Sequence, residues 1–332
     1  MQSRVAVLTE LEHVEVETRT VPDAGPGEVL VQVSECGICG SDLKMYSGKH
    51  PVLRPPLVMG HEFWGVEQES GALVTVFPVV GCGDCFNCLR ERPHLCVQME
   101  LIGGQRDGGI AEWANVPAAN VMAIQPDVPE AARVLIEPLA VGVHAATRAA
   151  VVSDEAVLVI GAGPIGLFTA IALRHAGAER ILMADLSSER LALARQLGFE
   201  ETLDVGEGPA SEQVREAVRP EGIDVAVDCV GSAATAVQAL DSTCKGGRAV
   251  LVGMMPLELQ INGMMLQREE RMYVGVQMYS REDWRTAQGI LASGVLPDVG
   301  GLIRSHPLDD VAGAFAALQA GPTGVLKTTV RP

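Results

Sequence analysis

Four cysteines crowd one short stretch, Cys82-Gly-Asp-Cys85-Phe-Asn-Cys88 and then Cys96 after seven residues. Two Cys-x2-Cys steps sharing Cys85 put four thiolates within reach of one ion. Tetrahedral four-thiolate zinc fits this spacing, and such a site has no open position and performs no chemistry. An iron–sulfur cluster uses similar spacing, but the apolar shielding of a cluster is missing here. Four free surface thiols are the bland alternative. A second set is scattered: Cys39 in Gly37-Ile-Cys39-Gly-Ser41-Asp42, His61 and Glu62 in Gly60-His61-Glu62, and Glu137 in Ile136-Glu137-Pro138. Taken alone, each is ordinary, because Cys is often a small buried hydrophobe and a His beside a Glu is usually a surface pair. Together they offer one thiolate, one imidazole and two carboxylates. That donor set suits a zinc with an open position, as catalytic zinc requires.

A third constellation is rich in glycine. Val157-Leu-Val-Ile160 runs into Gly161-Ala-Gly163-Pro164-Ile165-Gly166, and Asp185 closes the next apolar run 19 residues beyond Gly166. Gly161 permits a tight turn, Gly163 lets backbone approach a pyrophosphate, and Gly166 allows close helix–strand packing. The helix N-terminus then offers N–H groups and positive dipole to the phosphates. Asp185 is placed to accept a ribose 2′-OH and to repel a 2′-phosphate, so NAD is expected over NADP. Arg190 weakens that preference, since a guanidinium there reaches a phosphate. Val230 and Gly253, in the turns after later strands, join the candidate cofactor contacts. A glycine-rich turn that binds no nucleotide is the bland reading.

These residues need elements to hold them. The first third is β-rich: Val5 to Leu8 is an apolar run, Val14, Val16 and Thr18 alternate with Glu15 and Glu17, and Val29 to Val33 follows the Pro26-Gly27 turn. The middle alternates short apolar strands (Val157–Ile160, Ile181–Ala184, Val225–Val227, Ala249–Val252) with helical patterns (Leu167–His175, Ser188–Leu197). That alternation implies right-handed βαβ units and a parallel sheet. The remainder reads as a helix over Leu308–Gln319, a turn over 321–324 and a strand over Val325–Val330. A length of 332 residues suggests two domains, and 48% apolar against 20% charged residues excludes a disordered chain. The net charge of −17 disfavours phosphate backbones and anionic lipid as partners. Ala156 to Leu173 is 18 residues without a charge, the length of a membrane span, but its glycines read better as strand, turn and helix start. Met1 to Glu17 lacks an apolar stretch of the signal-peptide kind, so the expectation is a cytoplasmic protein with reduced cysteines.

Six motifs in order resemble the zinc-dependent medium-chain dehydrogenases, in the polyol (sorbitol) and threonine dehydrogenase branch. They are Gly37-Ile-Cys39-Gly-Ser41-Asp42, Gly60-His61-Glu62, the four-cysteine stretch, Asp107-Gly-Gly-Ile-Ala-Glu112, Glu137-Pro-Leu-Ala-Val-Gly142 and Gly161-x-Gly-x-x-Gly166. The resemblance covers essentially the whole chain. It implies that Cys39, rather than Cys36, is the zinc thiolate, with His61, Glu62 and Glu137 in the other ligand positions. Glu137 would bind directly or through water. Ser41 matches the hydroxyl that relays the substrate proton, and Asp42 the carboxylate that orients the ligand His. Two departures stand out. Lys44 occupies the relay position where the family commonly has His, and the segment from Gly65 to Cys82 is short, with only Val74–Val80 for the usual strand motif.

The resemblance implies an α/β protein. A GroES-like β-rich catalytic domain would span 1–137 and 289–332, a Rossmann doubly wound domain 138–288, and the cleft would lie between them. It implies two zinc ions, one catalytic and one structural, and NAD as cofactor. The partner is a small-molecule alcohol, with neither nucleic acid nor membrane, in a homodimer or homotetramer. The expected reaction moves hydride to NAD from a secondary hydroxyl of a polyol, sugar or amino-alcohol. An L-threonine 3-dehydrogenase-like enzyme or a simple secondary-alcohol dehydrogenase is the alternative. Two further rivals are a zincless quinone reductase on the same fold, which would lack Cys39, His61 and the four-cysteine stretch, and an NAD-binding zinc protein without catalysis.

Overall fold

The computed structural model describes residues 1–296, 299–321 and 324–332. The turn expected over 321–324 includes residues 322 and 323, which lie outside the described residues. The chain forms two compact units, Met1–Glu137 with Ser280–Pro332, and Pro138–Tyr279.

The first unit is built on β1 (Gln2–Glu10), β2 (His13–Thr20), β3 (Glu28–Gly37), α1 (Gly40–Tyr46), β4 (Leu57–Val58), β5 (Glu62–Glu67), β6 (Leu73–Val76), β7 (Val79–Val80), β8 (Glu100–Leu101), β9 (Trp113–Pro117) and β10 (Val121–Ala123). The alternation read in the sequence becomes the antiparallel β1–β2 hairpin. Among the described residues, a larger sheet runs β10-β6-β5-β3 and continues into strands from the end of the chain, with β9 also on β3. Leu8, Val31, Phe63, Val76, Ile110 and Phe315 pack its core. The expected run Val74–Val80 splits into β6 and β7 around Pro78, which has no N–H to continue a ladder.

The chain then enters α2 (Ile136–Ala149) and the second unit: β11 (Ala156–Ile160), α3 (Pro164–His175), β12 (Arg180–Asp185), α4 (Ser188–Gln196), β13 (Thr202–Asp204), α5 (Ala210–Ala217), β14 (Ile223–Asp228), α6 (Ala233–Ser242), β15 (Thr243–Leu251), α7 (Gly263–Arg268) and β16 (Met272–Gly275). The strands are parallel in the order β13-β12-β11-β14-β15-β16. Every residue of β11 is buried, as a parallel strand covered on both faces must be. The order reverses at β11, and ligands of such sheets bind beyond the strand ends at that switch point. The uncharged run Ala156–Leu173 is thus β11, a glycine turn and the start of α3. Among the described residues, no helix is long and apolar enough to cross a membrane.

The chain returns to the first unit through α8 (Arg281–Ala292), β17 (Ile303–Pro307), α9 (Val311–Gln319) and β18 (Lys327–Arg331). The sequence placed this return near Gly289, whereas the units divide at Ser280. Ser280 caps α8, and the fully buried Trp284 on its first turns meets the Phe77 ring edge-on at 5.5 Å. The whole helix therefore packs with the first unit. β18 pairs antiparallel with β3, Thr329 opposite Gly37.

Candidate functional site

Three segments of the first unit converge where β3 ends. The Ile38 N–H donates to the Thr328 carbonyl at 2.9 Å, tying the exit of β3 to β18. Cys39 caps α1, and Asp42 Oδ2 accepts the Cys39 N–H at 2.8 Å, a reciprocal cap that fixes the two residues relative to each other. β5 begins at Glu62, which sits opposite Gly37 in the β3–β5 ladder. The donor atoms of Cys39, His61 and Glu62 consequently lie within 4.8 Å of one another. Cys36 is outside that group, and burial pushes its thiol well above the ordinary range.

The buried polar atoms around this triad fit a metal ion. Asp42 Oδ1 and His61 Nδ1 are both buried, lack a hydrogen bond and stand 3.6 Å apart. That is the relation expected when His61 gives its other nitrogen to a cation and turns Nδ1–H toward a carboxylate. Burial opposes charge on His61, but Asp42 and Cys39 outweigh it and hold the imidazole well above its ordinary value. Burial likewise lifts the Asp42 carboxyl, with His61 opposing. Glu137, on the first turn of α2, is 5% exposed and its charge reaches His61. It stays outside the tight group of three, although the sequence set it among the ligands. Ser41 and Lys44 lie half-buried on α1 beside Cys39. His50, whose N–H donates to the Lys44 carbonyl, is drawn below its ordinary value by burial and by the charges of Arg54 and Lys44.

One residue of this centre escaped the sequence reading. Lys327 of β18 is 4% exposed, and its Nζ donates to Glu62 Oε1 at 2.5 Å. The same ammonium lies against Glu62 Oε2, an oxygen with no hydrogen bond of its own. Gly37 makes the room, since a Cβ there would fall 2.1 Å from Glu62 Oε2 and 2.8 Å from Lys327 Cε. The only sequence signal was a single cation in the otherwise uncharged run Val325-Leu-Lys327-Thr-Thr-Val330.

The four-cysteine lobe is different in kind. Its sulfurs lie within 4.8 Å of one another, with Cys82–Cys88 at 4.0 Å and Cys85–Cys96 at 3.9 Å. Zinc–sulfur bonds of about 2.3 Å in a tetrahedron give sulfur separations of about 3.8 Å, so the cage has the size of a zinc site. Backbone N–H groups of Cys82 and Gln98 donate to Cys96 Sγ, each at 3.3 Å. A hydrogen bond from the Cys88 backbone helps draw Cys85 down to about 6. Such donors favour thiolates, the form a metal takes.

In the second unit the glycine motif bridges β11 and α3. Gly161 adopts φ +99°, a region that favours glycine, and a Cβ on Gly166 would fall 1.7 Å from the Gly161 carbonyl oxygen. Gly163 caps α3, with Pro164 and Ile165 in the first turn. Asp185, at the end of β12, is 7% exposed; its Oδ2 accepts the Ala162 N–H at 2.7 Å and its Oδ1 the Ser187 N–H at 2.9 Å. It therefore braces the loop as well as facing it. Arg190 Nη1 is 3.6 Å from Asp185 Oδ2, and its guanidinium carbon would lie 3.9 Å from a Cβ on Gly163. Val230 and Gly253 also converge: Val230 Cγ2 closes on Gly161, and a Cβ on Gly253 would fall 2.2 Å from the Gly231 nitrogen. The sequence missed Asp228, fully buried at the end of β14, whose Oδ1 accepts the N–H groups of Val230 and Gly231 and shapes that turn.

Comparison with known proteins agrees with this geometry. The alcohol dehydrogenase GroES-like domain matches residues 25–126, and the zinc-binding dehydrogenase family matches residues 164–293. The chain is 32% identical over 324 residues to the L-threonine 3-dehydrogenase of Chelativorans sp. (strain BNC1), covering 93% of each. A zinc-binding dehydrogenase from Sinorhizobium meliloti 1021, solved bound to NADP, superposes with a TM-score of 0.91 at 29% identity, all of both chains being covered. Galactitol-1-phosphate dehydrogenase from Escherichia coli gives a TM-score of 0.90 at 28% identity over 99% of this chain and 100% of that one. With both halves matched in order and a curated relative aligned over nearly its full length, the chain belongs to the zinc-dependent medium-chain dehydrogenase family.

Proposed function

We propose that this dehydrogenase oxidises a secondary hydroxyl flanked by a second hydroxyl or an amino group, in a polyol, sugar or amino-alcohol, and passes the hydride to NAD. The observation that carries the reading is the buried group of Cys39, His61 and Glu62 with Glu137 nearby. One thiolate among nitrogen and oxygen donors makes a hard, polar centre. When bound, zinc supplies a Lewis acid that lowers the pKa of an alcohol, and the nicotinamide supplies the hydride acceptor. The chain's own residues do the rest. Cys39 and His61 would hold the metal, Asp42 Oδ1 orients the His61 ring, and Ser41 Oγ accepts a hydrogen bond from the substrate hydroxyl and passes its own hydroxyl proton outward as it takes up the substrate's. Glu137 accepts a hydrogen bond from the neighbouring hydroxyl or ammonium, Glu62 being buried against Lys327. In the second unit, Gly161, Gly163 and the first N–H groups of α3 cradle the pyrophosphate. Asp185 selects against a 2′-phosphate, with Arg190 opposing it.

The threonine dehydrogenase relative and the galactitol-1-phosphate dehydrogenase neighbour both bear names of substrates with adjacent polar groups, which supports this class. The eight cysteines, none of them in a disulfide, support a cytoplasmic location, and the place of β16 at the edge of the six-stranded sheet supports a homodimer or homotetramer. A screen of NAD reduction with 2,3-butanediol, 2-butanol and threonine tests the reading. The vicinal diol should exceed 2-butanol in kcat/KM by at least about tenfold, roughly 1.4 kcal/mol. Equal turnover of the lone hydroxyl would make a simple secondary-alcohol dehydrogenase the better account, and threonine leading both would select the amino-alcohol.

A further inference from the structure

We propose that the substrate carries an anionic group, a carboxylate or a phosphate, and that Lys44, His50 and Arg54 receive it beside the metal centre. The inference rests on the reading that the protein oxidises a polyol-like secondary alcohol at that centre, and it narrows the class. Its basis is a concentration of positive charge without counter-charge. The 19 positions from Leu43 to His61 hold Lys44, Lys49, Arg54 and two histidines but no Asp or Glu, in a chain whose net charge is −17. Among the described residues, Lys44, Lys49 and Arg54 take part in no ion pair. Backbone groups hold the segment together instead. The His50 N–H donates to the Lys44 carbonyl at 2.9 Å. His50 Nδ1 accepts the N–H groups of Val52 at 3.3 Å and Leu53 at 3.0 Å. Arg54 Nη1 donates to the Leu53 carbonyl at 2.8 Å and to the His50 carbonyl. Burial and the charges of Arg54, Lys44 and His61, all positive, hold His50 below its ordinary value. A neutral ring that accepts at Nδ1 carries its proton on Nε2, a donor for an anion. The segment borders the metal centre: His61 reaches His50, and Lys44, three positions after Ser41 on α1, shares its helix face. Asp42, on the same helix, faces Cys39 and His61, and the charge of Glu12 reaches Tyr46. Like charges gathered this way repel one another, and an acidic protein repels anions at long range. A local cationic group beside the reacting carbon serves an anionic substrate, with Arg54 suited to the paired oxygens of a carboxylate or phosphate.

The test compares three substrates that share one vicinal diol, by NAD reduction with the zinc-loaded full chain: 2,3-butanediol, 2,3-dihydroxybutanoate and butane-1,2,3-triol 1-phosphate. At least one anionic member should exceed the neutral diol in kcat/KM by about tenfold, and the leader identifies the group as carboxylate or phosphate. That lead should fall severalfold as salt rises from about 0.05 M to about 0.5 M. The net charge alone gives the opposite sign, since screening a −17 protein relieves its repulsion of anions. Arg54→Gln should cut the ratio of anionic to neutral kcat/KM by about tenfold, and Arg54→Lys should restore most of it. The ratio cancels any general loss of activity. If Arg54→Gln does not fold, the wild-type ratio and its salt dependence decide. A ratio at or below one, a lead that grows with salt, or a ratio indifferent to Arg54→Gln overturns the inference. So does a raised KM for NAD in Arg54→Gln with the ratio intact, which would assign the cations to the cofactor's phosphates. A wild type that oxidises the neutral diol and ignores the added charge sinks this inference alone; inactivity toward all three substrates sinks the polyol reading beneath it.

Discussion

The two candidate metal centres of the first unit solve opposite problems. The four-cysteine lobe draws its donors from 15 consecutive positions, Cys82 to Cys96, and its sulfurs are alike. Four equal ligands close a tetrahedron, leave nothing for a substrate, and need no support from elsewhere in the fold. The Cys39 centre draws on β3–α1, the start of β5 and the start of α2, and its donors differ in charge and hardness. Its carboxylates are buried and require counter-charge, which β18 brings from the far end of the chain. A closed site can thus be local, whereas an open one is a property of the whole unit.

The largest effect expected from breaking this contrast is Cys39→Ser. Dehydrogenase activity should fall by at least about three orders of magnitude, on the order of 4 kcal/mol in transition-state stabilisation, with the melting temperature little changed. Steady-state kinetics beside a thermal melt check this. Cys88→Ser should do the reverse, removing one zinc per chain by elemental analysis and costing a few kcal/mol of stability. A fully active, equally stable Cys88→Ser protein would remove the distinction between the two sites. Asp42→Asn tests the support of the open site alone: metal affinity should weaken about 10- to 100-fold, read by chelator competition, while the lobe keeps its zinc. The smallest effect lies outside both centres. NAD should lead NADP in kcat/KM by at least about tenfold, and Asp185→Ser should narrow the gap by roughly 1.4 kcal/mol. Equal use of both cofactors by the wild type would mean that Arg190 overrides Asp185.

Local features were the legible ones. The lobe, the glycine turn and the β11-to-β15 alternation are written in neighbouring residues, and spacing alone sets their geometry. What the sequence concealed depends on distant pairing. Lys327 carries no motif, and its meaning comes from the β18–β3 register. Asp228 looks like an ordinary strand end until its backbone partners are seen. The return was expected near Gly289, whereas the compact units divide at Ser280; Trp284, which packs α8 against Phe77, gives no signal of which core it will fill. Glu137 was set among the ligands by its match to the family motif, directly or through water, and its charge reaches His61 from the first turn of α2.

The pairing of Glu62 with Lys327 spans 265 positions, and in time this is an order of synthesis. Translation makes β3, α1 and β5 first, then all of Pro138–Tyr279, and only then the lysine that neutralises Glu62. At roughly 5–20 residues per second the carboxylate waits on the order of 13 to 50 seconds for its partner. During that interval Glu62 lacks the ammonium that pairs with it in the finished unit, and burying an unpaired carboxylate is costly. The second unit is contiguous and carries its own core, so it is free to fold while the first stays open. A protein whose metal centre is encoded mostly in its opening third is therefore finished from the other end.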